Sequence, residues 1–350
     1  MSPMAGGHLQ PGSPSVPPGR PKILLSVPAH ERDAFFPPDT LATLRALGDV
    51  TTVEPSALAP ADAFHAAAGD AQVLVTAWGF PRLDAERLAL VPDLRFVMHA
   101  ASSLHALVTD AFWATGVPVS QAGAAMAPAV AELSLTFTLS LLRRTHRLDH
   151  ALRTGADWET ARRVVRAQEI EGARIGVVGA SRTGRRYIQA CEALGAEIRI
   201  HDPYLAPPDP LAALATPLRD LLAWSDVVAV HAPATPETHG MIGAAEIAAM
   251  RDGSLFVNTA RPSLVDMDAL YEAVAASRID AALDVFETEP LPTDDRWRAL
   301  PNVLLTPHLA GASAQSRRRA GRIVVDEIRR HLTGEPLQHA LTRHDVKRMG

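Results

Sequence analysis

The 350-residue sequence holds a single cysteine, Cys191. An intramolecular disulfide framework is therefore excluded, and the chain fits a reducing compartment such as the cytoplasm. Charge of neither sign dominates. The 34 basic residues stand against 39 acidic ones, so composition gives no ground for a nucleic-acid or anionic-membrane partner. Basic clusters such as Arg317-Arg318-Arg319 read as a solvated helix face. Long apolar runs are scarce too. The longest, Ala129–Leu142, is too short to span a bilayer, and Glu132 interrupts it. It reads as a buried helix with Val130, Leu133, Phe137 and Leu141 on one stripe. Residues 1–20 are rich in Pro, Gly and Ser and lack the apolar core of a secretion signal, so a disordered tail is expected there. A metal site lacks support: His146 and His150 have i, i+4 spacing, but no third ligand is evident.

What is present is the pattern of a globular protein, 47% hydrophobic and 21% charged, long enough for about two domains. Short apolar runs suited to buried parallel strands recur at Lys22–Val27, Gln72–Ala77, Arg95–Ala100 and Val117–Ser120, with helical stretches such as Thr40–Leu47 between them. A second series follows at Arg174–Val178, Glu197–His201, Asp226–His231, Ser254–Asn258, Asp280–Val285 and Asn302–Thr306. Strand–helix alternation of this kind predicts α/β domains whose parallel sheets are covered on both faces. Six strands suit a full dinucleotide-binding sheet. The apolar helix over 129–142 carries the chain from the first series to the second, and the final helix, Ser313–Leu332, returns.

The stretch RIGVVGASRTGRRY, Arg174–Tyr187, is nearly a dinucleotide-binding loop. Gly179 and Gly184 hold the first and last glycine positions of Gly-x-Gly-x-x-Gly, but Ser181 takes the middle one. A strand runs into the loop and a helix leaves it near Thr183, so free backbone N–H groups, with Arg182 and Thr183 beside them, face a pyrophosphate. Asp202, just past the next strand, stands where a carboxylate accepts hydrogen bonds from the adenosine ribose and repels a 2′-phosphate, so NAD is preferred over NADP. The Ser181 Cβ is expected to push the pyrophosphate away or widen the loop, and its hydroxyl to offset this by donating a hydrogen bond. The site reads as altered rather than broken.

Three later residues each follow the carboxyl end of a strand, where open parallel sheets bind ligands: Arg261, Glu289 and His308. Beside a nicotinamide they suit reduction of a 2-oxo acid. Arginine forks onto a carboxylate, histidine gives or takes a proton near neutral pH, and a neighbouring carboxylate orients it and favours its charged form.

At these residues the chain resembles the D-isomer-specific 2-hydroxyacid dehydrogenases, over roughly Lys22–Leu337. HAPATPETHGMIG (His231–Gly243) is similar to the family's loop after the third nucleotide-domain strand, AVAELSLTFTLSLLRR (Ala129–Arg144) to its interdomain helix, and GADW (Gly155–Trp158) to its dimer-forming arm. The resemblance implies two Rossmann-like domains, one flavodoxin-like and one NAD-binding, with the active site in the cleft between them. The tail covers 1–20, a discontinuous substrate domain 21–120 and 312–340, and the NAD-binding domain 121–311. It further implies Arg261 on the substrate carboxylate and carbonyl, His308 as acid/base and Glu289 in its support. Thr259, Ala260, His231, Ala232 and Pro233 would line the cofactor, Asp284 would lie near the nicotinamide amide, and a homodimer is expected. Two departures stand out. Pro262 follows Arg261 where the family usually has glycine, and the glycine-rich substrate loop reads HAASSL (His99–Leu104), leaving the amides of Ala100, Ala101 and Ser102 to hold a carboxylate. The substrate would be a small 2-oxo or 2-hydroxy acid. The alternative is an NAD-sensing interaction module like the C-terminal-binding corepressors, which keep the same Arg–Glu–His set. A formate-dehydrogenase-like reaction is disfavoured, because those enzymes have glutamine where Glu289 stands.

Overall fold

The computed structural model describes residues 19–163 and 167–348. Most of the expected tail lies outside them. Its last residue, Arg20, is held in place, donating to the Asp49 carboxylate at 2.8 Å and the Gly48 carbonyl at 3.0 Å. The chain forms two compact units. One runs to Ala122 and adds Gly321–Leu341; the other is Gly123–Ala320 with the residues from Thr342 onward. The change of unit falls at Gly321 instead of residue 312, within the helix Ala314–Thr333. The reason is steric: a Cβ on Gly321 would stand 1.7 Å from the Phe35 carbonyl oxygen, so the helix packs against the first unit's backbone from that residue.

Among the described residues the strands are β1 (Lys22–Ser26), β2 (Asp49–Thr52), β3 (Val73–Thr76), β4 (Phe96–His99), β5 (Val119–Gln121), β6 (Arg174–Val178), β7 (Glu197–His201), β8 (Val227–Val230), β9 (Leu255–Asn258), β10 (Asp280–Leu283), β11 (Val303–Leu305) and β12 (Ala340–Leu341). They form two six-stranded sheets, ordered β12-β5-β4-β3-β1-β2 and β11-β10-β9-β8-β6-β7. Every pairing is parallel except β12 with β5.

The first sheet holds two strands that the apolar pattern did not reveal. β2, Asp-Val-Thr-Thr, is a largely exposed edge strand with no buried face to mark it. β12 is two residues long and is pinned by a buried acid. Glu327 accepts the Gln338 N–H at 2.8 Å, the His339 N–H at 3.1 Å and the Ser120 hydroxyl at 2.6 Å.

In the second sheet Val228 and Val230 of β8 pack into one core cluster, and Val227 and Ala229 into another. Burial on both faces is why these strands read as unbroken apolar runs. Outside β7 a parallel bridge joins Ile200 to Ala215. The helix Ala127–Leu142 lies on this unit, but its buried side differs from the expected stripe. Of that stripe Phe137 and Leu141 are buried and Val130 and Leu133 half-buried, and the rest of the buried side is made by Ala127, Ala129, Ala131, Ser134, Thr138 and Leu142. Small residues let the helix approach closely, and its two polar ones find partners: Ser134 meets the Thr259 hydroxyl at 2.7 Å and Thr138 the Tyr187 hydroxyl at 2.6 Å. With the turn before it, the apolar stretch reaches 20 residues, Gly123–Leu142, long and apolar enough to cross a bilayer by length and composition, and half of it is buried within the structure. Core packing against the sheet accounts for its apolarity.

Just beyond this helix Arg144 turns the chain in the left-handed region, φ 55°. Its guanidinium donates to Asp280 at 2.5 Å, and Arg147 donates to the same carboxylate at 2.9 Å. The Asp280 side chain is 3% exposed. Burial alone would raise its carboxyl pKa, but His146, Arg147 and Arg144 pull it from 3.8 to about 2. Because the folded value is the lower one, the stabilisation is fully present above pH 3.8 and fades as pH falls through about 2. Replacing Asp280 with alanine leaves two arginines without their carboxylate. We expect the second unit to lose about 3–5 kcal/mol, read as a lower midpoint of urea unfolding; a loss below about 1 kcal/mol would mean that both arginines reach water.

Candidate active site and nucleotide cradle

β6 delivers the chain to Gly179, which sits at φ +99°; a Cβ there would stand 2.5 Å from the Ala232 nitrogen. A Cβ on Gly184 would stand 2.1 Å from the Gly179 carbonyl oxygen. Neither position admits a side chain. Ser181 is different. Its φ of −63° and ψ of 178° suit any residue, and it caps the helix Arg182–Ala193, its hydroxyl oxygen accepting the Gly184 N–H at 3.2 Å. The expected phosphate-facing hydroxyl is thus first a helix cap, with only its proton left to donate. The helix begins at Arg182, one residue before the expected Thr183; Arg182 is exposed and Thr183 half-buried.

Asp202 braces the loop from the next strand end, accepting the Ala180 N–H at 2.8 Å and the Tyr204 N–H at 2.9 Å. His231 and Ala232 back it. The His231 N–H donates to the Val178 carbonyl at 2.7 Å, and its ring lies 4.9 Å from that of Tyr187. Burial pushes the His231 imidazole down to about 3, so it is neutral. Pro233, next along, is exposed. A helix N-terminus with two glycines that cannot carry side chains fits the pyrophosphate of a dinucleotide.

The loop after β9 is organised by Asn258, a buried residue that sequence reasoning missed, although an amide at a strand end two residues before the loop was visible. Its Nδ2 donates to the Arg261 carbonyl at 3.0 Å and its Oδ1 accepts the Ala260 N–H at 2.9 Å. Arg261 is extended, φ −145° and ψ 145°, as the residue before a proline prefers. Pro262 opens the short turn Pro262–Leu264, where its missing N–H costs nothing. The proline therefore suits the loop. Thr259 faces the core helix through Ser134. Arg261 is half-buried, and one guanidinium nitrogen donates to the Ala260 carbonyl at 2.7 Å. Burial lowers its pKa, while Glu289 opposes that shift.

Beyond β10 stands Asp284, fully buried. Its Oδ1 accepts the Thr306 hydroxyl at 2.5 Å and the Leu309 N–H at 2.9 Å, and its Oδ2 accepts the Ala310 N–H at 2.9 Å. Both carboxylate oxygens thus accept hydrogen bonds from the chain itself. The segment it holds carries His308, in the left-handed region at φ 53°. The His308 Nδ1 meets Glu289 Oε2 at 2.7 Å, and Glu289 Oε1 accepts the Phe286 N–H at 3.0 Å. Burial alone would raise the Glu289 carboxyl, but His308 and the Phe286 amide outweigh it and hold it below the usual glutamate value. With Nδ1 on the carboxylate, Nε2 is left to give or take a proton, and the imidazole is 46% exposed. Beside the pair opens a cavity of about 740 Å³, walled by Phe286, Pro290, Leu291, Leu305 and Pro307, with Arg298 among its polar groups.

In the first unit, the expected substrate amides are not equivalent. Ala100 is buried and its N–H already donates to the Thr76 carbonyl at 2.8 Å, so it is not available; Ser102 is half-buried. His99 is buried against the Thr76 hydroxyl at 2.9 Å and pushed down to about 4 by burial. Trp297 is buried beside Tyr271, whereas Trp158 is 67% exposed.

The family model described as D-isomer specific 2-hydroxyacid dehydrogenase, NAD binding domain, matches residues 135–310. The chain belongs to that family. It is 37% identical to the D-3-phosphoglycerate dehydrogenase of Mycobacterium tuberculosis (strain ATCC 25618 / H37Rv) over 297 residues, 84% of this chain and 55% of that one. It is 34% identical to the hydroxypyruvate reductase of Thermotoga maritima, over 69% of this chain and 78% of that one. The D-mandelate dehydrogenase structure from Rhodotorula graminis superposes with a TM-score of 0.79 at 27% identity, covering 93% of this chain and 98% of that one. The chain spans about half the length of the phosphoglycerate dehydrogenases it matches. The cofactor of this 2-hydroxyacid dehydrogenase family domain is NAD, and the Gly179–Gly184 cradle fits it. A methyl group on Gly184 collides with the loop that shapes the cradle. Gly184→Ala is accordingly expected to weaken NADH binding by about tenfold or more, about 1.4 kcal/mol, in a fluorescence titration, with circular dichroism unchanged; an unaltered dissociation constant would place the nucleotide elsewhere.

Proposed function

We propose that the protein interconverts a small 2-oxo acid and the D-2-hydroxy acid by hydride exchange with NAD. The observation that carries this reading is the His308–Glu289 pair at 2.7 Å, on loops that follow neighbouring strands, with Arg261 within electrostatic reach of the carboxylate. Bound NADH supplies the hydride. Arg261 grips the substrate carboxylate as a planar fork, which orients the carbonyl. Protonated His308 donates from Nε2 to the carbonyl oxygen as the carbon is reduced, and takes the proton back in the reverse direction. Glu289 fixes the ring through Nδ1 and stabilises the imidazolium. Thr259 and Ala260 line the nicotinamide side of the site. In the first unit the proposed substrate contacts narrow to the amides of Ala101 and Ser102.

The protein is proposed to work as a cytoplasmic homodimer, without nucleic-acid or membrane partners. The segment Thr145–Arg162 supports the dimer, because Leu152, 48% exposed, and Trp158 stand out from it uncovered. Light scattering at micromolar concentration is expected to report twice the 37.4 kDa chain mass, and a monomer would sink this assignment.

The function is tested by NADH oxidation against glyoxylate, hydroxypyruvate, pyruvate and bulkier branched and aromatic 2-oxo acids. His308→Asn is expected to lower the best rate about 10²- to 10⁴-fold. Reduction needs the protonated imidazole, so the rate falls as pH rises. Glu289→Gln removes the charge that favours the imidazolium, and the alkaline limb is expected to move to lower pH. A limb that stays in place would remove Glu289 from the proton-transfer machinery.

A further inference from the structure

In the first unit β1 to β5 are all parallel, so their carboxyl ends also share one side. The first three residues after β1, β3 and β4 read Val27-Pro28-Ala29, Ala77-Trp78-Gly79 and Ala100-Ala101-Ser102, and none of them carries a charge. The arginine that follows β1, Arg32, is already paired: its guanidinium donates to the Val27 carbonyl and to Glu54, each at 3.3 Å. Trp78 stands two residues beyond Thr76, as Ala101 stands two beyond His99, and Thr76 and His99 are register partners. It is therefore next to the loop whose Ala101 and Ser102 amides are proposed to hold the substrate. Its ring meets the buried Phe35 edge-on, with centroids 6.0 Å apart and planes at 68°, and Phe35 stacks on Phe36 at 6.4 Å. The indole is braced from behind, yet Trp78 remains 44% exposed. Such a ring offers a large apolar face and loses little side-chain freedom when something covers it. The second unit has a counterpart. Leu309, next in the chain to His308, is 55% exposed although its N–H is tied to Asp284 at 2.9 Å.

We propose that the 2-oxo acid carries an apolar substituent, branched or aromatic, and that Trp78 is the residue that selects it. The proposal rests on the functional reading above and narrows its substrate class. An apolar substituent gains by leaving water for the face of the indole. A second carboxylate or a phosphate on the substrate would lose water beside strand ends that offer it no cation. Three full-length variants test the assignment. Trp78→Ala removes the ring, Trp78→Phe keeps an aromatic one, and Trp78→Arg supplies the missing cation.

With NADH, the wild type is expected to reduce phenylpyruvate and 2-oxoisocaproate with a kcat/KM about tenfold or more above that for glyoxylate, and to rank 2-oxoglutarate below both. Trp78→Ala is expected to cut the phenylpyruvate-to-glyoxylate ratio about tenfold, and Trp78→Phe to keep most of it. Trp78→Arg is expected to raise 2-oxoglutarate relative to phenylpyruvate. The ratio separates selection from a merely structural role, because a less folded variant loses both acids equally. A ratio that stays within about twofold in Trp78→Ala overturns the proposal, as does a wild type that prefers glyoxylate or 2-oxoglutarate. Calorimetry in the presence of NADH tests the same point without turnover and without a variant. Oxanilate, the phenyl amide of oxalate, is expected to bind the wild type about tenfold more tightly than oxamate, and equal affinities overturn the proposal even if no Trp78 variant folds. A wild type that reduces none of these acids and binds neither analogue overturns the functional reading, and the substrate class falls with it. Reduction without a preference for the apolar acids overturns the role of Trp78 alone.

Discussion

Because the strands of the second sheet all run in one direction, their carboxyl ends share one side, and the loops that carry Gly179, His231, Arg261, Glu289 and His308 all leave from it. Parallel strands buried on both faces cannot slip by one residue without driving side chains into the helices that cover them. The positions of Gly179, His231, Arg261, Asp284 and His308 are therefore fixed by core packing before any of them makes a polar contact. Their hydrogen bonds refine a placement that the sheet has already made.

Refinement at this edge is done by short polar side chains. Asn258 shapes the loop after β9, Asp284 the loop after β11, and Asp202 the glycine loop, each through backbone N–H or C=O groups. A buried carboxylate that collects several amide hydrogen bonds is satisfied without a cation, and it rigidifies the loop that provides them. The same economy appears far from the site. Glu327 gathers the last strand of the first sheet, whereas Asp280, at the base of β10, is paired with two arginines.

Those contacts mark the boundary of what could be read from the residues in order. Strands with two buried faces announced themselves as apolar runs, and the strand–loop–helix order around Gly179 was legible in the residues. The Arg261, Glu289 and His308 positions were legible because each follows a strand end. β2 was not legible, since Asp-Val-Thr-Thr at a sheet edge has no hydrophobic side to declare. β12 depends on Glu327, whose hydroxyl partner Ser120 lies 207 residues away, and no local pattern encodes that. The capping role of Ser181 was not legible for a different reason: a serine in a glycine position draws attention to its Cβ, while its hydroxyl oxygen is taken up by the helix behind it. The hydrogen-bond partners of Asp284 were not legible either, because they come from a loop more than twenty residues further on.

Ser181 has a kinetic meaning as well. Its hydroxyl closes the first turn of the helix within the protein itself, so that turn does not wait for a phosphate to order it. A loop that is already shaped loses little conformational freedom when its ligand arrives. A nucleotide bound there would meet a first turn already closed, not one that has to fold around its cargo.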